Sequence, residues 1–191
     1  MPKGSPELTN ARKEEIIAAC RRLYETMSFK DITIKEIGQQ TSFTRTSIYN
    51  YFETKEEIFL ALFAQEYECF IGDLDSLCAQ NESLTLDELS SALAHALERR
   101  PLMLKLLSMN MFDMEANSRM ERLVAFKKAY GASKDALDRC LRKYMPALGE
   151  QGRQSLSGTA AAIITHAAMY VGWPKGWAVF RQAKEIWDEE A

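Results

Sequence analysis

Glycine and proline are scarce in this chain, nine and five among 191 residues. Turns are therefore few and the elements between them long. Histidine is scarcer, with only His95 and His166, and the cysteines Cys20, Cys69, Cys78 and Cys140 show no CxxC spacing. That set is too poor to build a zinc site. A glycine-rich phosphate loop and a nucleophile–histidine–acid set are also missing, which leaves an enzyme reading without visible chemistry. The opening "MPKGSPELTN" has neither the basic nor the apolar region of a signal peptide. The longest apolar run, Ala160 to Trp173, is interrupted by Thr165, His166 and Gly172. It is shorter than the roughly 20 residues needed to cross a bilayer. The expectation is a cytoplasmic, non-enzymatic protein with reduced and mostly buried thiols, no membrane, no cofactor and no metal.

A basic excess is absent too. The net charge is −3 and the pI about 5.6, which argues against coating nucleic acid or anionic lipid through bulk charge. In residues 1–57, nine basic residues (Lys3, Arg12, Lys13, Arg21, Arg22, Lys30, Lys35, Arg45, Lys55) face nine acidic ones. Nucleic-acid domains normally show a basic surplus. Any such surface here must be small and local, with Arg45, Lys55, Lys3, Lys30 and Lys35 sharing one face.

What is present is helical period. Hydrophobic residues make up 47% and charged residues 27%, the balance of a soluble globular protein. No segment alternates like a strand. The fold expected is all-α with about nine helices. Asn10 to Met27 carries one stripe (Ile16, Cys20, Leu23, Tyr24, Met27). Capping boxes read as "TIKE" at Thr33, "TKEE" at Thr54 and "TLDE" at Thr85. They open a short helix to about Thr41, a longer one to about Phe70, and one that stops near Arg100. Thr44 is placed to cap another short helix to about Tyr51. Pro101 suits the first turn of the next helix, which runs to about Met111. Further helices are expected over Ser118 to Tyr144, Gln151 to Val171 and Lys175 to Glu189.

Two short helices around a tight break match the helix-turn-helix pattern, over about residues 33–52. In that motif the second helix enters the DNA major groove and its early residues reach base edges. "TRTSIYNYF" (44–52) supplies suitable side chains. Arg45 can donate bidentately to guanine, Thr46 can contact an edge or a thymine methyl, and Asn50 can pair with adenine or a phosphate. Tyr49 offers a ring face and a hydroxyl. Thr33 and Thr44 sit at helix N-termini suited to phosphate, with Tyr51 and Lys55 reaching the backbone from the far side. Ile48 and Phe52 point inward.

These residues carry a family resemblance. "TIKEIGQQTSFTRTSIYNYFETKEEIFLALF" resembles the N-terminal DNA-binding domain of the tetracycline-repressor (TetR) family of bacterial regulators. The matching positions are Thr33, Ile37, Phe43, Thr44, Tyr49, Tyr51, Phe52, Thr54, Lys55, Glu56, Glu57 and Ile58. Gly38 stands where the family usually has Ala, and Thr41-Ser42 where it has Ala-Gly. The resemblance covers about residues 9–70. It implies a DNA-binding domain over 1–54 and a ligand-binding and dimerisation domain over 55–191.

The same resemblance implies a homodimer on a near-palindromic duplex operator, released by a small apolar or aromatic ligand. Pocket candidates are Phe63, Tyr67, Met103, Leu107, Met111, Phe126, Tyr130, His166 and Tyr170, with His95 a further polar candidate. The same residues also serve a plain core. The 151–171 helix has two apolar stripes, one of them small (Gly158, Ala161, Thr165, Ala168, Gly172). With a last helix bearing Trp177, Phe180 and Trp187, it is the expected dimer interface. Alternatives are a regulator or activator controlled by a protein partner, a helical interaction protein without DNA, and redox sensing through Cys69 and Cys78.

Overall fold

The computed structural model describes residues 5–109 and 111–172, with side chains in the last helix described through Thr159 and at Ala162 and Ile164. The helix expected at Lys175–Glu189 lies outside the described residues. Among those described there are nine helices and no strand: α1 (Pro6–Thr26), α2 (Ile34–Gln39), α3 (Arg45–Ile48), α4 (Lys55–Gln80), α5 (Leu86–Glu98), α6 (Pro101–Leu107), α7 (Met111–Ala116), α8 (Met120–Tyr144) and α9 (Glu150–Gly172).

The chain divides into two compact units. The first holds residues 1–65 and 110–130, the second residues 66–109 and 131–191. The division thus falls inside α4, at Gln65–Glu66. It also brings α7 and the start of α8 into the N-terminal unit, which no local pattern announces.

Several boundaries differ from those expected. Helix α1 starts earlier, because Ser5 caps it by accepting from the Leu8 N–H (3.3 Å) and Pro6 occupies its first turn. Helix α4 passes Gly72 and continues to Gln80. Leu74 anchors this extension, packing with Ala136 and Cys140 in the core of the second unit. Residues 111–116 form a separate helix, α7, seated by buried Met114. Helix α3 is a single turn, and Thr44 does not cap it: its hydroxyl pairs with that of Ser47 (3.0 Å), with no side-chain bond to a backbone N–H. Thr85 and Glu88 form the full reciprocal box at α5. At Thr33 only half is present, the hydroxyl accepting from the N–H of Lys35 and Glu36.

The core of the first unit is built by Ile16, Cys20 and Tyr24 of α1, Ile37 of α2, Ile48 and Phe52 around α3, and Ile58, Phe59 and Leu62 of α4, all essentially buried. Tyr24 and Phe29 meet the Phe59 ring edge-on at 4.9 and 4.8 Å between centroids. Full burial of side chains of this size contributes about 1.5–3 kcal/mol each.

One charge lies within that core. Glu57, in the first turn of α4, has no solvent exposure. Its carboxylate accepts from the Glu53 N–H (2.9 Å), the Arg119 N–H (3.1 Å) and the Arg119 guanidinium through Nε (2.6 Å) and Nη2 (2.7 Å). Burial pushes the carboxyl upward, but the hydrogen bonds from Arg119 and Glu53 outweigh it and hold the pKa down at about 2. A depressed folded pKa gives stability that is complete above the unfolded value and lost as pH falls through the folded one. The expected window of loss is therefore pH 4.5 to about 2. Arg119→Met leaves the buried carboxylate with two backbone N–H donors and the more distant Arg122 guanidinium (4.0 Å), and should cost about 3 kcal/mol, the low end for a buried pair. In that variant the Glu57 carboxyl is no longer held down by the guanidinium, its folded pKa rises toward or past the unfolded value, and the acid loss between pH 4.5 and about 2 should shrink. Thermal melts across pH 2–7 check both; coincident profiles for the two proteins would remove the ion pair from this role.

Candidate nucleic-acid interface

The recognition element is a single turn, so its position must come from what lies behind it. Four contacts supply this. Ile48 and Phe52 are buried in the first unit. Gly38 of α2 lies so close to α3 that an added Cβ would sit 3.2 Å from both Cα and Cβ of Arg45. This explains a glycine in mid-helix, where it otherwise costs about 1 kcal/mol against alanine. Ser42, in the break between α2 and α3, donates through its N–H to Glu15 Oε1 and through its hydroxyl to Oε2 (3.1 Å). These bonds, the backbone one first, hold the Glu15 carboxyl below its usual range. No described residue has positive φ, so Ser42 needs no glycine-like conformation. The fourth contact is at the far end: the Tyr51 carbonyl accepts from Arg122 Nη2 (2.5 Å) and Arg119 Nη2 (3.4 Å).

Held in this way, α3 and the turn after it present Thr44, Arg45, Thr46, Tyr49 and Asn50 to solvent. Among the described residues, the side chains of Arg45, Thr46, Tyr49 and Asn50 find no hydrogen-bond partner, so their donors and acceptors are available. Thr33 is exposed at the start of α2, where its hydroxyl also meets the Glu36 carboxylate. Tyr51 is half-buried, its ring 6.4 Å from that of Phe43.

One cation expected on this face is engaged elsewhere, as are two further cations of this unit. Lys55 changes most. Its ammonium donates to the carbonyls of Phe29 (2.7 Å) and Ile32 (3.0 Å) and lies 4.1 Å from the Phe29 ring centroid. It therefore closes the α1–α2 turn on the start of α4, which the sequence reading as a phosphate contact did not foresee. Arg12 covers the Phe43 ring at 4.4 Å. Arg22 donates to the Gln40 carbonyl (3.1 Å). Lys30, Lys35 and Arg45 remain exposed; Lys3 lies outside the described residues.

The expected pocket residues are shared between the two units. Phe63, Met111, Phe126 and Tyr130 belong to the first unit, Tyr67, Met103 and Leu107 to the second. Phe63 and Phe126 are buried against one another, centroids 5.2 Å apart. The side chains of His166 and Tyr170 lie outside the described residues. A groove of about 690 Å³ does exist in the second unit, between α4 and α5, and its walls mix charged and polar side chains such as Asp73, Glu88, His95 and Arg99 with the apolar Leu77, Ala92 and Ala96. His95 is the one residue singled out from sequence that lines it, with Nδ1 2.7 Å from the Ser91 carbonyl. Arg119 and Arg122 were not foreseen at all; their partners are 62 to 71 positions away in sequence. Among the described residues, no group of three or more His, Cys, Asp or Glu is placed to hold a metal, and no helix is long and apolar enough to cross a membrane.

Residues 16–62 match the family described as bacterial regulatory proteins, tetR family, and residues 64–172 match the tetracyclin repressor-like C-terminal domain. This chain belongs to the tetR family of DNA-binding transcriptional regulators. It is 28% identical over 98 residues to an uncharacterized HTH-type transcriptional regulator, YfiR, of Bacillus subtilis. That match spans 48% of this chain and 47% of YfiR, about half of each. The solved structure of the fatty acid degradation regulator FadR from Bacillus halodurans superposes with a TM-score of 0.58, over 87% of this chain and 86% of that one. At 17% identity this second likeness speaks for the fold alone.

Two substitutions separate positioning from contact. Gly38→Ala should leave the melting temperature within a few degrees, since helix propensity offsets the tight contact. It displaces α3, and operator affinity should fall roughly tenfold, about 1.4 kcal/mol; unchanged affinity in a titration would show that α3 tolerates the shift. Lys55→Met should lower stability by about 2 kcal/mol through two orphaned carbonyls. An unchanged melting temperature with uniformly weaker DNA binding would instead return Lys55 to a phosphate.

Proposed function

We propose that this tetR-family protein is a homodimeric repressor that reads a near-palindromic operator and leaves it when a small apolar or aromatic ligand binds its C-terminal region. The observation that carries the DNA part is the set of four exposed, unengaged side chains, Arg45, Thr46, Tyr49 and Asn50, on a turn pinned from behind. Arg45 reads guanine; Thr46 and Asn50 read neighbouring edges; Tyr49 packs its ring on the groove wall. Thr33, Thr44 and Tyr51 approach the phosphates. With few free cations per subunit, non-specific affinity is low, and two subunits spaced about 34 Å apart supply the rest. The protein acts in the cytoplasm and is not an enzyme.

Dimerisation is assigned to α9 and the Lys175–Glu189 segment. Leu156 on α9 is 41% exposed in the single chain, as expected of a face awaiting a partner. A ligand releases DNA only if it binds the free form more tightly than the bound one. The contacts of Arg119 and Arg122 with Tyr51 and Glu57 give such a change a route to the recognition turn, because both arginines stand at the start of α8. A second reading, control by a protein partner, draws on the burial of Phe63 and Phe126 against each other, since closed aromatic packing leaves no room for a ligand there. FadR is a fatty acid degradation regulator, and at 17% identity it lends this chain a fold and no ligand class.

Footprinting on the DNA flanking the gene, with and without candidate ligands, tests the whole reading. Arg45→Ala should weaken operator binding by about 1–3 kcal/mol and relax discrimination at one base pair per half-site. Lys35→Ala should weaken all sequences alike and reduce the salt slope by about one. A footprint that Arg45→Ala leaves intact would take base reading away from this residue.

A further inference from the structure

Two thiols separated by 62 positions in sequence meet in the second unit. Cys78, in the last turn of α4, and Cys140, near the end of α8, have their sulfur atoms 2.9 Å apart. A disulfide bond is about 2.05 Å long, so closure requires a movement of about 0.9 Å. The contact is held from both sides. On one side Arg139 pairs with Asp75 (2.8 Å). On the other, Lys143 donates to the carbonyls of Cys78 (2.6 Å) and Asn81 (2.7 Å), and the Tyr144 hydroxyl lies 3.1 and 3.0 Å from those of Leu77 and Asn81. Beneath it, Cys140 is 1% exposed and packs with Leu74 and Ala136. These contacts fix the two helices beside each other without the sulfurs, so the sulfurs are free to react. Neither thiol serves the DNA-reading turn.

We propose that Cys78 and Cys140 form a reversible intrachain disulfide when the protein meets a hydroperoxide, and that this bond is a redox modification site of the regulator. Cys78 is half-buried while Cys140 is covered. Burial, with the Cys78 thiol hydrogen-bonded beside it, pushes the Cys140 thiol up to about 12. Cys78 therefore meets the oxidant first. Its thiolate attacks one peroxide oxygen, the O–O bond breaks, and the departing oxygen leaves as water or alcohol after protonation. Cys78 is left as a sulfenic acid. The Cys140 sulfur then attacks the Cys78 sulfur, the S–O bond breaks, and the released hydroxide takes the Cys140 proton and leaves as water. The two thiols lose two electrons and two protons in total, and the peroxide accepts them. A dithiol reductant reverses the reaction by exchange. Such bonds in a reducing compartment are characteristically transient and sensing rather than structural. Cys69, which the sequence paired with Cys78 for this role, lies exposed, while the partner within reach of Cys78 is Cys140.

The test uses the full-length reduced protein and a small molar excess of hydrogen peroxide, read without DNA so that its outcome is independent of the operator reading. Thiols counted after denaturation should fall from the four of the reduced chain by two. The chain should stay monomeric on a non-reducing gel, and peptide mapping should link residues 78 and 140. The melting temperature should rise by roughly 5–15 °C, and dithiothreitol should reverse every change. Cys69→Ser should respond as the parent does, while Cys78→Ser should show no intrachain link and no rise. Survival of all four thiols, links through Cys69 or between chains, or Cys78 driven to sulfinic acid beside an unreacted Cys140 would each overturn the proposal.

Discussion

A single buried carboxylate sets the terms for the N-terminal unit. Glu57 lies among apolar side chains, where an unpaired charge would be prohibitive. Its only acceptable state is full satisfaction, and the backbone of Glu53 together with Arg119 provides it. That demand draws residues 117–122 against the end of the helix-turn-helix. Once there, the same segment does further work. The Asn117 carbonyl accepts from the Thr54 hydroxyl (2.8 Å), which in turn accepts from the Glu57 N–H (3.2 Å). Arg122 covers the Phe52 ring at 5.0 Å and donates to Tyr51. The start of α4, the end of the recognition turn and the start of α8 are thus one hydrogen-bonded cluster, and removing its central charge pair disturbs all three.

The neutral charge balance of the first 57 residues has a structural counterpart. Cations there are used to hold backbone: Lys55 closes the turn before α2, Arg22 caps the end of α2, Arg12 covers Phe43. Such uses keep the positive charge away from the outer face and leave Arg45 as the cation at the tip. A surface of this kind gains its affinity from geometry and from a second copy more than from bulk attraction. It also makes the placement of α3 the quantity that matters, and the α2–α3 approach at Gly38 the feature that sets it.

Much of this was legible in the sequence. The all-helical class followed from period alone, and the motif from two short helices separated by a break. The inward pair Ile48 and Phe52 and the outward Arg45, Thr46, Tyr49 and Asn50 were separable by helical position. Gly38 stood out as a glycine where the family usually has Ala, and Arg45 is what packs against it. What was not legible is long-range. Glu57 read as half of a local capping box, while its carboxylate reaches Glu53 on one side and Arg119 on the other. Lys55 read as a free cation, because the carbonyls of Phe29 and Ile32 have no signature in sequence. Thr44 read as a cap, but the Ser47 hydroxyl, closer to hand, takes its oxygen. The extension of α4 past Gly72 was hidden because its anchor, the Leu74–Ala136–Cys140 cluster, lies on another helix.

Helices α4 and α8 show how far a register can be followed once one pair is known. In the first unit Glu57 meets Arg119 and Phe63 meets Phe126; in the second Asp75 meets Arg139 and Cys78 meets Cys140. Within each unit the partners rise together along both helices, so each unit holds the two helices side by side and running the same way. In the second unit a charged pair and a thiol pair therefore follow one another along the same two helices. The thiol contact is therefore no accident of two side chains leaning together. It is the position at which a register already imposed by Asp75, Leu74 and Tyr144 happens to bring sulfur opposite sulfur, and the chemistry available there follows from the packing.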